Sequence, residues 1–503
     1  MHRPHPAEAE VADELAVVRP ALLSRYAAEL PGARAAVLTR LWRALAHEPL
    51  PWITGPDPGR DPDGEGLTLR LRDGRRLHGP AADPYTTAAY VGVVHLDDLA
   101  YDHPATLMSD LAVPHCVDFA AELGHSAASL ALSRAGQERP TKEWPGSDWE
   151  WEQRVVDGHP YHPGCRSRPG FSVAEQLAYG PEHRPLVELG MLPVRADECL
   201  VTGAWPDEMR DAERLLLPVH PWQAVHVLKR TSDEGLTAHP LMSLRTLAVP
   251  GGPHVKTALS ARLTSSVRDI SVYSISLSAT LSAFAESLAA RADGLLHVTR
   301  TLGAATADSP DLAAVLRESP QTYASTTRGE RVVPVAALAT TALPESAPWL
   351  ADFTRLALTV GLRLLELGVA LEAHGQNLLV VLSDTGAPLR LVYRDLADIR
   401  VSPVRLARHG IPVPDLSGRI VTDDVTALRR KLFGSLVAGA LAATAGSAAV
   451  LRAALETAVR DLPRTPDLVA LLEEPLPAKA LTLMRMSPGT PGDQWARLPN
   501  PLR

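Results

Sequence analysis

The chain has 503 residues, 46% hydrophobic and 21% charged, with a formal net charge of −8. That length suits two or three domains that bury substantial cores. The acidic balance lacks the basic surplus on which nucleic-acid or anionic-membrane binding depends, so neither partner is expected. The first residues lead into Ala/Glu-rich helical sequence without an apolar targeting core, and the apolar stretches at 356–371 and 436–443 are interrupted and too short to span a bilayer. A cytoplasmic protein is expected. Cys116, Cys165 and Cys199 stand far apart with no CxxC pair, which argues for reduced thiols and against a disulfide framework, a structural zinc or an iron–sulfur cluster. Of the 50 basic residues only Lys142, Lys229, Lys256, Lys431 and Lys479 are lysines, so each is worth following.

In chain order, helical spacing of apolar residues over 7–50 predicts a bundle with boundaries at Pro20 and Pro31. The segment 54–66 reads as a surface loop, and 67–72 and 75–78 flank Asp73-Gly74 as a hairpin. Helical pattern returns at 104–135 and 149–156. The last hundred residues read as helical, with 487–503 an extended surface tail.

Four clusters could carry chemistry. The Pro/Gly-dense run 158–170 must be an extended, turning loop, able to point His159, His162, Arg166 and Arg168 at one anion. The alternative makes the histidines caps or core residues; zinc is disfavoured because no further ligands sit at suitable spacing. Pro218-Val219-His220-Pro221-Trp222-Gln223 is by itself a helix start.

Ser243, Arg245 and Thr246 precede Lys256, which alternation places on a strand running to Leu263. Thr264, Ser265 and Ser266 could then cap a helix with Arg268 one turn in, a cation-rich setting suited to a triphosphate. The plain alternative is a surface strand with scattered charges. Finally, Glu372-Ala373-His374-Gly375-Gln376-Asn377 leads into a hairpin closed by 383–387. Counting outward from that turn, Asn377 opposes Arg394 or Asp395, so an amide and a carboxylate meet beside Glu372 and His374 as hard oxygen donors suited to Mg²⁺. Otherwise Asp395 merely caps the next segment.

Taken in order, Gly158-His159-Pro160-x-His162-Pro163, the 218–223 segment, Lys256 with Thr264-Ser265 and Arg268, Glu372-x-His374-x-Gln376-Asn377, Arg394-Asp395 and the terminal Asn500-Pro501-Leu502 resemble the motifs of IucA/IucC-type siderophore synthetases. The resemblance covers about 150 to the C-terminus. It implies an α+β fold of three parts in a cupped hand, with a helical thumb at 1–105, fingers at 106–290 and a palm at 291–503. It also implies an ATP- and Mg²⁺-dependent ligase that adenylates a citrate- or succinate-type carboxylic acid, releases pyrophosphate and passes the acyl group to an amine or hydroxyl, and a chain that pairs as a homodimer, as is common in the family.

By matching positions, Lys256, Arg268, His374 and His159 would be catalytic. His162, Arg166, Arg168, Ser243, Arg245, Thr246, Thr264, Ser265 and Gln376 would bind ATP or acid, and Glu372, Asn377 and Asp395 would hold the metal. The chemistry needs no covalent enzyme intermediate, so no Cys or Ser nucleophile is assigned. Arg166 stands where the family usually has Lys, a change from point charge to bidentate fork that bears on which acid is held.

Other readings remain to be weighed. His374-Gly375-x-Asn377 followed by Arg394-Asp395 resembles kinase-like catalytic loops, but the catalytic Asp is absent and no glycine-rich phosphate loop occurs. A ferric-siderophore reductase would need C-terminal cysteines, and none follows Cys199. A silent binding protein would have no use for the full Lys256/Arg268/His374/Asp395 set. A ligase of the same fold could also serve a natural-product pathway other than siderophores.

Overall fold

Apolar spacing produces the N-terminal helices where it predicts them. The computed structural model describes residues 5–57, 66–137, 143–263 and 266–503. Helix α1 (Pro6–Val18) starts on a proline, which needs no N–H partner at that position, and a short 3-10 turn at Pro20–Leu22 leads into α2 (Leu23–His47). Pro20 is a boundary as expected, but Pro31 is not, since α2 runs through it. A proline forfeits one backbone hydrogen bond. The buried stripe Ala33, Val37, Leu38, Leu41, Trp42 and Leu45 compensates by packing the rest of α2 into the core.

A five-stranded antiparallel meander follows, running Ile53–Pro56, Gly66–Leu71, Arg76–Pro80, Val94–Leu96 and Leu99–Tyr101. Its second and third strands form the expected hairpin, with Gly74 at φ 94°, a conformation that costs a Cβ-bearing residue. Residues 58–65, most of the expected surface loop, lie outside the described residues. Next come α3 (Pro104–Asp110) and α4 (Cys116–Ala135), which pack on α1 and α2 in one core that also takes in Ala480, Leu483, Met486 and Ala496 from the far end of the chain. A division at residue 105 falls inside α3.

The central part is a nine-stranded sheet ordered Leu200–Gly203, Thr301–Thr306, Ala313–Arg317, His254–Thr257, Thr246–Ala248, Asp233–Pro240, Val187–Arg195, Arg214–Val219 and Arg210–Asp211. The C-terminal part holds a four-stranded sheet, Leu296–Val298, Pro388–Tyr393, Leu378–Leu382 and Arg331–Pro334. Against it packs the helix Ala347–Leu367, capped by Ser346 and stopped by Gly368 at φ 112°. Among the described residues no single helix is long and apolar enough to cross a membrane; the bent pair Val425–Ala445 and Ala448–Asp461 passes on composition, but its apolar residues lie in the core.

The tail departs from expectation in part. Trp495–Leu498 pairs with Leu476–Lys479, and the buried Asn500 donates through Nδ2 to Leu471 O (2.8 Å) and Glu474 O (2.7 Å), satisfying carbonyls at the end of the helix Pro466–Glu473. Residues 488–493 are exposed as their Pro and Gly content suggested; backbone pairing and one amide anchor the rest and bury Ala496, Leu498 and Asn500.

The N-terminal core encloses a charge. Glu8, 1% exposed, accepts from Arg34 Nε (2.7 Å) and Nη2 and from His103 Nε2 (3.2 Å), tying α1 to α2 and to the start of α3. Burial would raise its carboxyl, but these partners outweigh it and hold it at about 2. The associated stability is therefore present above about pH 4.5 and lost as pH falls towards about 2. Glu8→Gln is expected to cost about 3 kcal/mol at pH 7 in urea denaturation, with the deficit shrinking below pH 4.

Candidate active site

Two sheets face each other across a cleft, and ion pairs bridge it. The expected strand from Lys256 to Leu263 is broken at Ala258: His254–Thr257 belongs to the nine-stranded sheet, whereas Leu259–Leu263 turns into a separate hairpin with Ser266–Arg268. Arg268 thus sits on a strand, not one turn into a helix; the helix begins only at Val272, capped by Ser271. Thr264 and Ser265 lie outside the described residues. Arg245 ties the hairpin down, donating through Nη1 to Arg268 O (2.7 Å) and Asp269 O (2.6 Å). Ser243 Oγ accepts from Thr246 N (3.1 Å), and Thr246 pairs directly with Lys256.

Opposite lies the hairpin Leu378–Leu382/Pro388–Tyr393, in the register expected: Leu378 faces Tyr393 and Arg394 N donates to Asn377 O (3.0 Å). Asp395 therefore emerges at its open end, with φ 70°, a left-handed conformation kept only where the surroundings impose it. What imposes it is charge. Lys256 Nζ donates to Asp395 Oδ2 (2.6 Å) and Arg317 Nη2 to Oδ1 (2.9 Å). Burial would raise this carboxyl, but Arg317 and Lys256 hold it well below the usual range. Burial in turn drives the Lys256 ammonium down to about 7; Asp395 opposes that shift, and Arg317 and Arg245 add to it.

Glu372 forms a second centre. Its Oε1 accepts from Lys431 Nζ and Lys479 Nζ, both at 3.0 Å. Burial raises this carboxyl, yet Lys479, His374 and Lys431 hold it at about 2. Lys431 is placed by a helix that passes into a π-helical stretch at Phe433–Leu441, and Lys479 by the strand Leu476–Lys479. His374 lies between the two centres; burial lowers its imidazole against the pull of Glu372. Gln376 N donates to His374 Nδ1 (3.3 Å), and Asn377 Nδ2 to Glu372 O (3.4 Å). Glu372, Asn377 and Asp395 thus share one end of the cleft, but both carboxylates are already neutralised by cations, and among the described residues no three His, Cys, Asp or Glu side chains form a group able to hold a metal.

The 158–170 loop supplies the third wall. Arg40 Nε holds Pro160 O (3.0 Å), and Arg134 Nε holds Asp157 Oδ1 (2.9 Å). His159, exposed to the cleft, has its ring centroid 6.1 Å from that of His162 and lies within electrostatic reach of His374. His162 is buried; Gly164 N donates to its Nδ1 (2.8 Å), its Nε2 has no partner among the described residues, and burial with Arg485, Arg268 and Arg40 nearby pushes it down to about 3. Arg166 and Arg168, expected to bind ligand, do not face the cleft. Both are buried on Glu182, Arg166 Nη1 at 3.4 Å and Arg168 Nη1 at 2.8 Å, with Arg166 also capping the Val155 and Val156 carbonyls. A buried carboxylate captured the guanidiniums that the loop's sequence seemed to offer to substrate. His220 is likewise structural, a fully buried N-cap accepting from Trp222 N (3.2 Å).

Residues 147–340 match the family model described as "IucA / IucC family". Over that stretch the chain is similar to the IucA/IucC family. Residues 347–492 match a second model, "Ferric iron reductase FhuF-like transporter". Among curated proteins, the chain is 23% identical to the citryl-spermidine/3,4-dihydroxybenzoyl-citryl-spermidine:spermidine ligase of Bacillus anthracis, over 49% of the chain and 50% of the relative. It is 29% identical to the N(2)-citryl-N(6)-acetyl-N(6)-hydroxylysine synthase of Vibrio mimicus, over 24% and 26%. The chain thus aligns with about half the length, or less, of these relatives. The α+β fold agrees with solved structures over nearly the whole chain: petrobactin biosynthesis protein AsbB of Bacillus anthracis, TM-score 0.76 at 18% identity, covering 100% of this chain and 98% of that one, and ATP-bound aerobactin synthetase IucA of Klebsiella pneumoniae, TM-score 0.70 at 18% identity, covering 93% and 99%.

The sequence reading missed Arg317, Lys431, Lys479 and Glu182 as members of the site and its support. Lysine scarcity was the usable signal, since three of the chain's five lysines converge on Asp395 and Glu372. Glu182→Gln is expected to leave two buried arginines half-paired and cost about 3–5 kcal/mol, read by urea denaturation; a change below 1 kcal/mol would mean the arginines relocate to solvent.

Proposed function

We propose that this chain is an ATP-dependent ligase of the IucA/IucC type that adenylates a polycarboxylic acid of the citrate or succinate type and joins it to an amine or hydroxyl. The observation carrying this reading is the pair of carboxylates, Asp395 and Glu372, that hold Lys256, Arg317, Lys431 and Lys479 around one cleft beside Arg245 and Arg268. Such pairs can be exchanged for the stronger charge of a triphosphate and a polyanionic acid. The ATP bound in the Klebsiella IucA structure supports the nucleotide, and the citryl compounds in the relatives' names support the acid.

ATP would arrive as its magnesium complex, with Glu372, Asn377 and Asp395 donating oxygens as their cations turn to phosphate, and the ion would neutralise charge on the phosphates. Lys256, Arg268 and Arg245 then hold the triphosphate in line with the acid. A carboxylate oxygen bonds to the α-phosphorus as the bond to the bridging oxygen breaks, and pyrophosphate leaves with that electron pair. The nucleophile next attacks the acyl carbon, AMP departs and the nucleophile loses a proton. We assign that proton to His374; burial holds His159 and His162 well below the usual imidazole range, so both would be weak bases and serve as neutral hydrogen-bonding partners.

Pyrophosphate and AMP release, measured over a panel of carboxylates with hydroxylamine as trap, tests the reaction class. Acid-dependent pyrophosphate with hydroxamate is expected, and ADP release would instead make the protein a phosphotransferase. Arg268→Ala and Asp395→Ala are each expected to lower turnover at least about 100-fold without unfolding the chain; near-normal turnover in either would remove that residue from the site. A pH dependence also follows. Lys256 is charged below about 7 and neutral above it in the free protein, so binding a triphosphate above that pH requires proton uptake. ATP affinity is expected to fall by up to about tenfold per pH unit between pH 7 and 9, and Lys256→Arg to flatten the profile.

A further inference from the structure

Helix α5 (Asp148–Gln153) carries none of the motifs assigned to ATP or acid, yet its carboxylates reach both sides of the cleft. Ser147 and Glu150 close a capping box that starts it, and i,i+4 spacing puts Asp148 and Glu152 on one face. Asp148, 3% exposed, accepts through Oδ2 from His254 Nε2 (2.7 Å) and Ser319 Oγ (3.2 Å). His254 lies two residues before Lys256 on the same strand face and pairs in register with Arg317, while Ser319 lies two residues beyond Arg317. Asp148 thus holds the two strands that supply both cations of the Asp395 centre.

Glu152, 1% exposed, works on the opposite wall. Its Oε1 pairs with Arg394 Nη1 at 2.6 Å, and Oε2 accepts from Met242 N (2.9 Å). Arg394 also donates through Nε and Nη2 to Gln376 O (3.0 and 2.8 Å) and immediately precedes Asp395. A cavity of about 550 Å³ adjoins the start of α5, bounded by Ser147, Trp149, His254 and Ser319. On that side Trp149 stacks on His239, with ring centroids 4.7 Å apart, and the charged contacts complete the hold on the helix.

We propose that α5 is a clamp in which Asp148 and Glu152 act as positioning residues, setting the separation of the Lys256- and Arg317-bearing strands from the Asp395-bearing hairpin and so the affinity for ATP. The inference rests on the ATP reading above. The pairs it governs span 2.6–2.9 Å, where a displacement near 1 Å forfeits the interaction. Touching neither nucleotide nor acid, the clamp should affect ATP binding and leave the acid's KM unchanged.

The test is calorimetric titration of ATP into the full chain and into Asp148→Asn, Glu152→Gln, the double variant and Ser319→Ala, with Glu8→Gln as a control that loses a buried ion pair in a different core. Asp148→Asn and Glu152→Gln are expected to raise the ATP Kd about tenfold, and the double variant by much less than the product of the two, because one rigid helix carries both contacts. KM for ATP should rise in step while KM for the acid holds, and Glu8→Gln should keep its Kd within about twofold despite lower stability. Ser319→Ala, which removes a single hydrogen bond and keeps the ion pair, should raise Kd two- to threefold and gives the answer if Asp148→Asn fails to fold. Wild-type affinity in Glu152→Gln and Ser319→Ala overturns the clamp. A wild-type chain that binds no ATP overturns the function proposed above and the clamp with it.

Discussion

The cleft depends on Asp395. Its carboxylate joins two sheets that share no backbone hydrogen bonds, taking Lys256 on one oxygen and Arg317 on the other. Removing such charges from water is costly unless each finds a partner at short range, and the left-handed backbone at Asp395 adds a further cost of about 1–3 kcal/mol. Both costs are accepted at the point where a ligand with more charge could replace the internal partner. Glu372 repeats the arrangement with Lys431 and Lys479. On the function proposed above, the walls are held together by contacts that a polyanion would trade for its own.

Around these centres, other charges are spent on holding backbone. Glu182 gathers Arg166 and Arg168, Arg40 holds the Pro160 carbonyl, and Arg485 pairs with Glu122 to bind the C-terminal segment to α4. Arginine suits this work because its planar fork can serve two acceptors at once and stays charged when buried. Lysine is kept where a single compact charge must face an exchangeable carboxylate. The division explains how a chain so poor in lysine concentrates three of them in one cleft.

Much of this was legible in advance. The turn at 383–387 fixed the strand register by counting, and that register put Asn377 against Arg394 with Asp395 beyond. The Asp73-Gly74 turn and the His220 cap were local in the same sense. Readings that needed knowledge of a distant partner went astray. Arg166 and Arg168 look identical in sequence whether they face a phosphate or Glu182, and Arg268 was placed on a helix because nothing nearby announced the hairpin with Leu259–Leu263. The tail at 487–503 has the composition of an exposed segment, which 488–493 is, and only the pairing of Trp495–Leu498 with Leu476–Lys479 buries Ala496 and Leu498.

By itself, then, the sequence determined the elements whose causes are local: periodicity, turns, caps, hairpin register and the order of motifs that carries the resemblance to IucA/IucC proteins. Tertiary structure alone decided which charges meet. Lys431 and Lys479 lie 59 and 107 residues from Glu372, and Lys256 lies 139 from Asp395. No local rule ranks pairings at such separations, because the free energy that brings them together comes from burying the cores on either side, and the ion pairs form where that packing leaves them.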